Sequence, residues 1–568
     1  MTTALQRAHE WLEDPAYDKE TKAEIKKLLK NPEQLTDAFF TDLSFGTGGL
    51  RGVMGVGTNR MNIYTIRKTT QGLANYIKKQ GLPAKGVVIG FDSRHHSLEF
   101  AAETARVLAG NGIGVYLLKE LRPTPFISFA CRHLKAQAAV MITASHNPKE
   151  YHGYKVYWQD GGQVVPPHDK GIITEVHQVI SQTDVKLSDL SSPLISIPEG
   201  LDDAYIRAIT DLQLFPRENH KSLKISYTSL HGTGITLMPE TLAAWGFSKP
   251  HFVDSQIVPD GNFPTVHFPN PEYPEALKAG IEDLVFAESD LLLATDPDAD
   301  RLGVVVRHQG KPITLTGNEL AAIGAYFICK TLSDQNRLPK NGALVTTIVT
   351  TQLLKSIAQA FNIVCFEVLT GFKYIGEKIH EWDQKPLHHF LFGAEESYGF
   401  LMGTHSRDKD GIIAGCLFAE IAFRMKTQNK TLVDLLYEIY KKFGIFREKQ
   451  LSLSFEEGKK GLDTIHQLIS RLRDNPPATL GGKKILATKD LLHHSDLPPN
   501  HPRADVLIFH LEDECQAIIR PSGTEPKLKI YLSTRTGNFT SIEEGISNCD
   551  DSLEQLVFSL KKQLLLTI

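Results

Sequence analysis

The chain has 568 residues, a formal net charge of −4 and 41% hydrophobic residues, which predicts about four domains with ordinary packed cores. The near-neutral charge argues against a nucleic-acid-binding or membrane-surface protein, because both normally carry a basic excess. The first seven residues lack the apolar core of a signal peptide, and no apolar run is long enough to span a bilayer, so we expect no membrane association.

The N-terminal third of the chain is predicted to alternate helices with strands. An amphipathic helix is expected at about residues 4–29, and a Gly-rich loop follows at residues 45–57. Apolar strands are then predicted at residues 86–91, 114–118 and 138–142. This alternation is typical of βαβ units, and the Ser/Pro-rich stretch 188–200 indicates a domain boundary.

The remainder of the chain repeats this pattern and then departs from it. One alternation runs from residues 223–227 to 291–294, and another runs from 342–346 to 389–392. The last quarter differs, because residues 506–511, 516–519 and 528–532 are closely spaced strands without helices between them. Such spacing favours antiparallel pairing, and a terminal helix at about 541–564 would cover that sheet.

The most informative motif is Thr-Ala-Ser-His-Asn-Pro at residues 143–148. It follows the apolar segment 138–142, so Ser145 is predicted at the carboxyl end of a buried strand, where open α/β sheets gather ligands. A serine there can act as a nucleophile if a neighbour activates it. The Ser145–His146 pair alone is weak evidence, because adjacent residues on a strand point to opposite faces. Lys155 follows closely enough to fold back on this loop, although an isolated lysine is normally a surface residue.

A second motif, Asp-Pro-Asp-Ala-Asp-Arg at residues 296–301, places the three carboxylates of Asp296, Asp298 and Asp300 where they could converge on one cation. Oxygen-only ligands select Mg²⁺ or Ca²⁺ rather than zinc. An EF-hand is excluded, because arginines occupy the sixth and twelfth positions instead of Gly and Glu. A solvated acidic turn remains the alternative. A phosphorylated Ser145 would supply a further oxygen ligand.

Two later loops carry groups suited to sugars and phosphates. Gly-Ala-Glu-Glu-Ser-Tyr-Gly at 393–399 offers carboxylates that vicinal hydroxyls can bind, although Glu-Glu-Ser alone is more often a solvated turn. Arg-Pro-Ser-Gly-Thr-Glu-Pro-Lys at 520–527 offers backbone N–H groups, hydroxyls and an arginine, which together suit a phosphate; a hairpin turn is compatible with that role.

Other phosphate and nucleophile motifs are missing from the sequence. The Gly-rich segment 46–52, which contains Arg51, lacks the Gly-x-Gly-x-x-Gly spacing of a dinucleotide site. Neither a Gly-x-Ser-x-Gly nor a P-loop motif is present, so a serine hydrolase and a P-loop kinase have no support.

The four motifs at 143–148, 296–301, 393–399 and 520–526 occur in the order found in the α-D-phosphohexomutase superfamily, the phosphoglucomutases and phosphomannomutases, and the chain resembles that family over nearly its whole length. Residues 45–52 and 57–62 resemble the branch of bacterial α-phosphoglucomutases and their glucose-1,6-bisphosphate synthase and phosphopentomutase relatives. The resemblance implies a heart-shaped α/β architecture of four domains. Three α/β domains are expected at residues 1–205, 206–318 and 319–442, followed by an α+β domain at 443–568.

The resemblance also implies an activity. The expected reaction interconverts α-D-glucose 1-phosphate and glucose 6-phosphate through a phosphoserine enzyme and a glucose 1,6-bisphosphate intermediate. Phosphomannomutase or phosphopentomutase activity of the same mechanism is the alternative. A phosphatase and a catalytically inactive sugar-phosphate-binding protein are the rivals from other classes. The predicted binding loop for a second phosphate argues against the phosphatase. The presence of Ser145 and all three aspartates argues against the inactive protein.

The resemblance assigns roles to individual residues. Ser145 is the expected phosphoserine, and its phosphate with Asp296, Asp298 and Asp300 would hold Mg²⁺. Further catalytic candidates are Lys155, Arg51 and His146. The residues expected to contact the sugar are Glu395, Ser397, Thr370, Gly371, Arg301 and Lys409. Those expected to hold the non-reacting phosphate are Arg520, Ser522, Gly523 and Thr524. The chain departs from many relatives at His152, often Asn, and at Ala394, often Gly.

The expected partners are hexose phosphates, with no nucleic acid and no membrane, and the chain is expected to be a monomer or a weak homodimer. The six cysteines are scattered without a Cys-x-x-Cys pair, which indicates free thiols and a reducing, cytoplasmic compartment.

Overall fold

A computed structural model of the protein describes residues 3–43, 45–46, 49–81, 85–189, 195–216, 220–456, 459–493, 503–522 and 527–565. The chain divides into two compact units. The first comprises Met1–Gly317, Gly371–Gly393 and Ser397–Thr427, and the second comprises Asn318–Thr370, Ala394–Glu396 and Gln428–Ile568.

The described residues form helices and strands throughout both units. The helices are α1 (Ala4–Glu13), α2 (Lys19–Leu28), α3 (Pro32–Phe39), α4 (Ile63–Lys79), α5 (Ser97–Gly110), α6 (Thr124–His133), α7 (His168–Gln178), α8 (Leu201–Thr210), α9 (Met238–Ala244), α10 (Asp254–Ile257), α11 (Pro274–Phe286), α12 (Gly317–Asp334), α13 (Leu353–Ala360), α14 (Phe372–Gln384), α15 (Gly411–Lys426), α16 (Leu432–Phe443), α17 (Lys459–Asp474) and α18 (Ile542–Leu565). The strands are β1 (Phe45–Gly46), β2 (Gly49–Val53), β3 (Val87–Phe91), β4 (Val115–Leu117), β5 (Ala138–Ile142), β6 (Tyr151–Trp158), β7 (Ile225–Thr228), β8 (His251–Phe252), β9 (Leu291–Thr295), β10 (Leu302–His308), β11 (Lys311–Leu315), β12 (Gly342–Thr347), β13 (Val364–Val368), β14 (His389–Glu395), β15 (Gly399–Met402), β16 (Ile445–Ser454), β17 (Thr479–Leu480), β18 (Lys483–Asp490), β19 (Leu507–Leu511), β20 (Gln516–Pro521) and β21 (Lys527–Thr536).

The first unit contains two mixed sheets. The strand order is β1-β2-β6-β5-β3-β4 in one sheet and β11-β10-β9-β7-β8 in the other. In the first sheet β3 runs parallel to β4 and β5, whereas β6 returns antiparallel to β5. In the second sheet β7 is parallel to β8 and β9, and β10 is antiparallel to β9. Both sheets therefore present the carboxyl end of a central parallel strand, β5 or β9, directly before a predicted site loop.

The central strands are apolar and buried on both faces, which is why they read as continuous apolar runs. Every residue of β5 and of β9 is buried. The predicted strands at residues 86–91, 114–118 and 138–142 are confirmed as β3, β4 and β5 to within one residue at each end.

The predicted N-terminal helix at 4–29 is wrong, because this segment forms two helices, α1 and α2. Asp14 ends α1 in an extended conformation directly before Pro15, and a residue before proline is disfavoured in the helical region. Asp18 then begins α2, since its side chain accepts the Thr21 N–H at 2.7 Å as an N-cap.

The predicted loop at 45–57 is also wrong in part, because it contains β1 and β2. β2 pairs antiparallel with β6, with Leu50 opposite Tyr154 and Arg51 opposite Gly153. Gly49 has a φ of 95°, and a Cβ at this position would lie 2.7 Å from the Tyr154 carbonyl oxygen. The glycine therefore serves the close approach of two strands, so tertiary pairing overrides the turn signal in the sequence.

The second unit contains a parallel pair, β12 and β13, and a six-stranded sheet near the C-terminus. The strand order of that sheet is β16-β21-β20-β19-β18-β17, and its neighbouring strands pair antiparallel, as predicted. Helix α18 packs on β16 and β21, and Leu553, Leu556 and Leu560 of that helix join the buried core of the sheet. In the described part of the chain, no helix combines the length and apolar character that a membrane span requires.

Candidate active site

Ser145 lies in a tightly held loop just after β5. It is 2% exposed and has a φ of 54°, a left-handed conformation that residues with a side chain rarely adopt. Its N–H donates to Thr143 Oγ1 at 2.8 Å. Because the backbone has turned left-handed, the Ser145 hydroxyl and the His146 ring do not diverge as they would on a strand, and Oγ lies 3.1 Å from His146 Nδ1.

Arg94 holds the backbone of this loop through hydrogen bonds to its carbonyl groups. Its guanidinium is buried and donates to the carbonyl oxygens of Ser145 at 2.6 Å and Asn147 at 2.5 Å through Nη2. Nη1 donates to the carbonyl oxygens of Pro148 at 2.8 Å and Tyr151 at 3.1 Å. One side chain therefore donates to four carbonyl groups of residues 145–151, and the Pro148 carbonyl oxygen also accepts the Tyr151 N–H at 3.0 Å.

Asp296, Asp298 and Asp300 are brought together in the loop after β9. Each is fully buried, and ligand oxygens of all three lie within 4.8 Å of one another. Oδ1 of Asp298 and Oδ1 of Asp300 are buried without a hydrogen-bond partner. Buried carboxylate oxygens that lack donors are costly unless a cation or a proton satisfies them. The residues therefore fit a hard divalent cation, as the sequence predicts.

The serine and aspartate loops meet within the first unit. Ser145 Oγ donates to Asp296 Oδ2 at 3.1 Å. The start of α6 joins the same cluster, since Thr124 Oγ1 donates to Asp298 Oδ2 at 2.6 Å and its N–H donates to the Asp298 carbonyl oxygen at 2.8 Å. The hydroxyl predicted to react thus lies beside the predicted cation site.

Lys155 contacts the aspartate loop from β6, which pairs antiparallel with β5 and places this residue opposite Met141. It is 4% exposed, and its Nζ donates to Asp298 Oδ2 at 2.7 Å and to Asp300 Oδ2 at 3.0 Å. Burial opposes the charge on Lys155, but the two carboxylates outweigh it and raise its pKa above the ordinary value. In this state the side chain is a protonated ammonium that can donate a proton.

The carboxylates of the triad differ in their protonation preferences. Burial, reinforced by the charges of Asp298 and Asp300, raises the pKa of Asp296 well above its ordinary value. Burial acts on Asp298 in the same direction, but Lys155 reverses the effect and lowers its pKa. Asp296, which accepts the hydrogen bond from the Ser145 hydroxyl, is therefore the more basic of the two.

His146 and Arg51 complete the charged surroundings of Ser145. Burial, reinforced by the positive charges of Arg301 and Arg51, lowers the pKa of His146 well below its ordinary value, so the imidazole is neutral. Arg51 reaches the loop from β2, and its Nη1 donates to Asn147 Oδ1 at 2.8 Å. Burial also lowers the pKa of Arg51 from its ordinary value.

Three residues that were predicted to bind the sugar lie beside the aspartate loop. Arg301 pairs with Glu272, and its N–H donates to Asp296 Oδ1 at 3.0 Å. Lys409 Nζ lies 2.8 Å from Asp300 Oδ2. The segment of Ser397 adjoins the loop, because Gly399 forms a β-bridge with Arg301 and the Leu302 N–H donates to the Tyr398 carbonyl oxygen at 3.0 Å.

The other residues predicted to bind the sugar are Gly371, Thr370 and Glu395. Gly371 has a φ of 121° and precedes α14 in the first unit. Thr370 and Glu395 belong to the second unit, where Glu395 ends β14 and is 5% exposed. Its neighbour Glu396 accepts from Thr347 Oγ1 at 3.4 Å and from Thr350 Oγ1 at 3.3 Å, so this carboxylate already has protein donors.

The predicted phosphate loop joins β20 to β21 in the second unit. Arg520 lies opposite Lys529, and the Ser522 N–H donates to the Lys527 carbonyl oxygen at 2.8 Å, which closes a hairpin as the sequence predicts. Arg520 and Ser522 are both partly exposed. Gly523 and Thr524 lie outside the described residues.

Sequence reasoning missed Arg94, Thr124 and Gly232 as supports of the site. A Cβ on Gly232 would lie 2.2 Å from Pro297 Cα, so this glycine lets the backbone pack against the aspartate loop. A signal for Arg94 existed, because Asp92, Ser93 and Arg94 directly follow β3, the strand beside β5. Thr124 carries no comparable signal, since its role depends on a residue 174 positions away.

Comparison with known proteins gives matches over most of the chain. The family models for phosphoglucomutase/phosphomannomutase α/β/α domains I, II and III match residues 42–183, 203–310 and 316–443. The phosphoglucomutase of Staphylococcus haemolyticus is 38% identical over 531 residues, covering 90% of this chain and 93% of that relative. The phosphoglucomutase of Staphylococcus aureus is 37% identical over 525 residues with the same coverage of both chains.

A solved structure supports the same fold. The open form of parafusin, a phosphoglucomutase from Paramecium, has a TM-score of 0.67 to this chain at 19% identity, covering 93% of this chain and 95% of that one. The chain therefore has the predicted α/β architecture, three α/β/α domains followed by a C-terminal domain. The predicted domain boundaries stay a prediction.

Proposed function

The chain belongs to the phosphoglucomutase/phosphomannomutase family, and we propose that it is a phosphoglucomutase that interconverts α-D-glucose 1-phosphate and glucose 6-phosphate. The observation that carries this proposal is the contact of the Ser145 hydroxyl with Asp296 at 3.1 Å, inside a buried aspartate triad. The identity of 37–38% with phosphoglucomutases over 90% of the chain supports glucose phosphates as substrates.

In the proposed reaction Ser145 carries the phosphoryl group in the resting enzyme. The free hydroxyl of a glucose monophosphate attacks this phosphorus, the bond from phosphorus to Ser145 Oγ breaks, and the hydroxyl proton leaves to a base. The resulting glucose 1,6-bisphosphate turns over in the site. Its other phosphoryl group then returns to Ser145 Oγ, which leaves the isomeric monophosphate and restores the phosphoserine. No water or other co-reactant is consumed.

We assign the cation to Asp296, Asp298 and Asp300, with oxygen of the Ser145 phosphate as a further ligand, and Mg²⁺ is the proposed ion. When bound, Mg²⁺ would neutralise negative charge on the transferred phosphoryl group. The two carboxylate oxygens without hydrogen-bond donors support this assignment.

The surrounding residues supply charge and proton transfer. Lys155 is protonated and positioned within the triad, so it suits the role of a proton donor to the serine or alcohol oxygen. Arg51 holds Asn147 and adds positive charge near the serine loop. His146 is neutral beside Ser145 Oγ and can exchange a proton with it.

One serine must serve both ends of the sugar, so the remaining residues need to accept two orientations of the substrate. We propose that Glu395, Ser397, Thr370, Gly371, Arg301 and Lys409 contact the sugar hydroxyls or its phosphates. Arg520, Ser522, Gly523 and Thr524 would hold the phosphate that is not reacting, since a backbone turn with an arginine suits that ion. Exclusion of water would keep the phosphoserine from hydrolysis.

The proposal is tested by side-by-side turnover of glucose 1-phosphate, mannose 1-phosphate and ribose 1-phosphate at saturating Mg²⁺, with glucose 1,6-bisphosphate as activator. We expect the highest kcat/KM for glucose 1-phosphate, with glucose 6-phosphate as the product. A higher kcat/KM for mannose 1-phosphate or ribose 1-phosphate contradicts the glucose assignment. Release of inorganic phosphate as the main product indicates a phosphatase instead.

Hexose phosphates are the proposed partners, and a monomer or weak homodimer is the proposed assembly. All six cysteines are free, and five of them are buried. Burial raises the pKa of the Cys131, Cys329 and Cys416 thiols, which supports unreactive thiols and a cytoplasmic location.

A further inference from the structure

A series of hydrogen-bonded buried polar groups begins at His152. His152 is fully buried on β6, and its Nδ1 accepts the Gly153 N–H at 2.8 Å. Burial lowers the pKa of His152 to about 3, so the ring is neutral at ordinary pH. With Nδ1 acting as acceptor, the single ring proton lies on Nε2, which donates to Ser97 Oγ at 3.0 Å.

The next link joins Ser97 to the residues that follow β3. Ser97 Oγ donates its own proton to Asp92 Oδ1 at 2.6 Å, so its lone pairs are free to accept from His152. Asp92 Oδ1 also accepts the Arg94 N–H at 3.0 Å, and Asp92 Oδ2 lies 3.3 Å from Arg94 Nε. Asp92 and Arg94 have no exposed side-chain surface, so neither is oriented by solvent.

The last link is the contact of Arg94 with the serine loop. Its four carbonyl acceptors span residues 145–151, and its guanidinium stacks 4.9 Å from the centre of the Phe263 ring. Ser145 has the disfavoured left-handed backbone, so the loop depends on such contacts to keep its conformation. Arg94 therefore helps to hold the Ser145 backbone, from which the hydroxyl projects.

We propose that His152 is a positioning residue for phosphoryl transfer: through Ser97 and Asp92 it holds Arg94 in the orientation that fixes the Ser145 loop. The expected effect of His152 on turnover rests on the proposed function. Its expected effect on the conformation of the Ser145 loop does not, because that effect is independent of the reaction. A glutamine at position 152 can place an N–H close to the position of Nε2, whereas a leucine of similar size cannot.

The experiment compares His152→Leu with His152→Gln and with a matched control, His168→Leu. His168 is a partly buried histidine of the same unit that bonds Tyr76 at 2.9 Å and stacks on Trp158, away from the serine loop. We expect His152→Leu to lower kcat roughly tenfold with KM within about twofold, since it disturbs the reacting group more than substrate binding. His152→Gln should recover most of kcat, and His168→Leu should leave kcat unchanged.

A second readout does not depend on activity. Hydrogen exchange of the backbone amides of residues 145–151, measured by mass spectrometry, should be faster in His152→Leu than in wild type, His152→Gln or His168→Leu. Adding Ser97→Ala to His152→Leu should lower kcat little further, because both changes interrupt the same series of hydrogen bonds. If His152→Leu fails to fold, Ser97→Ala alone takes its place with the same expectations.

The proposal would be overturned if His152→Leu, or Ser97→Ala in its place, left both kcat and the hydrogen exchange of residues 145–151 unchanged. An equal loss of kcat in His168→Leu would also overturn it, since the effect would then follow from general destabilisation. If His152→Leu speeds exchange of the loop amides relative to wild type, but wild type shows no mutase turnover with any of the three sugar phosphates, the proposed function fails while the effect of His152 on the loop stands.

Discussion

Ser145 Oγ and Asp296 Oδ2 lie 3.1 Å apart although 151 residues separate them in the sequence. Each follows the carboxyl end of a fully buried parallel strand, β5 or β9, in a different sheet of the first unit. Ser145 is the residue proposed to carry the phosphoryl group, and Asp296 is the carboxylate whose pKa is strongly raised. The contact therefore brings these two groups together.

Replacing Ser145 with alanine should lower mutase turnover by roughly three orders of magnitude or more, in line with the loss of a nucleophile that acts with its neighbours as a unit. The fold should be retained, because the alanine keeps the Cβ and removes only a hydroxyl. Intact-mass measurement should show a phosphate adduct on wild type that is absent from Ser145→Ala. Circular dichroism gives the folding control, and retained turnover in the folded variant would contradict the mechanism.

The sequence predicts Ser145 and the aspartate triad because each lies in a polar loop that follows an apolar strand. It predicts Lys155 only because that residue follows the serine loop closely. The role of Arg94 escapes such reasoning, because it depends on the packing of its side chain under a loop 51 residues away. The left-handed backbone conformation of Ser145 could not be predicted from the sequence either, although it explains why the Ser145 and His146 side chains lie close together.

A corresponding limit applies to secondary structure. The buried strands were predictable from continuous apolar runs, whereas β2 was not, because its Gly-rich sequence favours a turn and only pairing with β6 makes it a strand. The break between α1 and α2 had a usable signal in Pro15, which amphipathic periodicity alone overlooks.

Asp298→Asn should weaken Mg²⁺ binding and lower turnover by roughly a hundredfold or more, since changes around metal ligands already cost about 10–100-fold. The amide removes a charge from a site with only oxygen ligands and places an NH₂ group near Lys155. Activity measured against Mg²⁺ concentration gives the apparent affinity. EDTA should inactivate wild type, and Mg²⁺ should restore it.

Asp254→Asn is the control for that experiment, because it removes the same charge from an exposed residue of α10. It should leave the Mg²⁺ dependence unchanged. Full activity of wild type in EDTA, or restoration by zinc but not by Mg²⁺, would contradict the assignment of the triad.

Lys155→Met should destabilise the metal-free protein by about 3–5 kcal/mol, because it leaves buried carboxylates without their partner. Lys409 still contacts Asp300, so Asp298 carries most of the uncompensated charge. Mg²⁺ should raise the melting temperature of Lys155→Met more than that of wild type, since the ion replaces the lost positive charge. Lys155→Arg keeps the charge, so an equal Mg²⁺ response in all three proteins would contradict this explanation.

Stability in acid should depend on His152. Its folded pKa of about 3 lies below the ordinary value of 6.5, mainly because of burial and secondarily because of Arg94 and, more weakly, His96. Between these two values the unfolded chain binds a proton that the folded chain refuses, so stability falls as the pH falls from 6.5 towards 3 and is unaffected above 6.5. At pH 5 this effect is worth about 2 kcal/mol, at about 1.4 kcal/mol per pH unit.

His152→Gln cannot take up this proton, so its stability should decline less steeply than that of wild type below pH 6.5. Urea unfolding at pH 8 and at pH 5 measures the difference between the two proteins at each pH. Parallel pH profiles would show that His152 is not the buried neutral group described above.

Arg520→Ala tests the end of the substrate that does not react. Loss of one charge-assisted hydrogen bond to phosphate should cost about 1.5–3 kcal/mol, which corresponds to a roughly ten- to hundredfold lower kcat/KM. Phosphorylation of Ser145 by a small donor such as acetyl phosphate should survive, because that donor does not need a second phosphate site. Lys484→Ala, which removes an exposed positive charge from β18 of the same sheet, should leave both measurements unchanged. The opposite pattern, with serine phosphorylation by acetyl phosphate abolished and sugar-phosphate affinity unaltered, would place Arg520 at the reacting end instead.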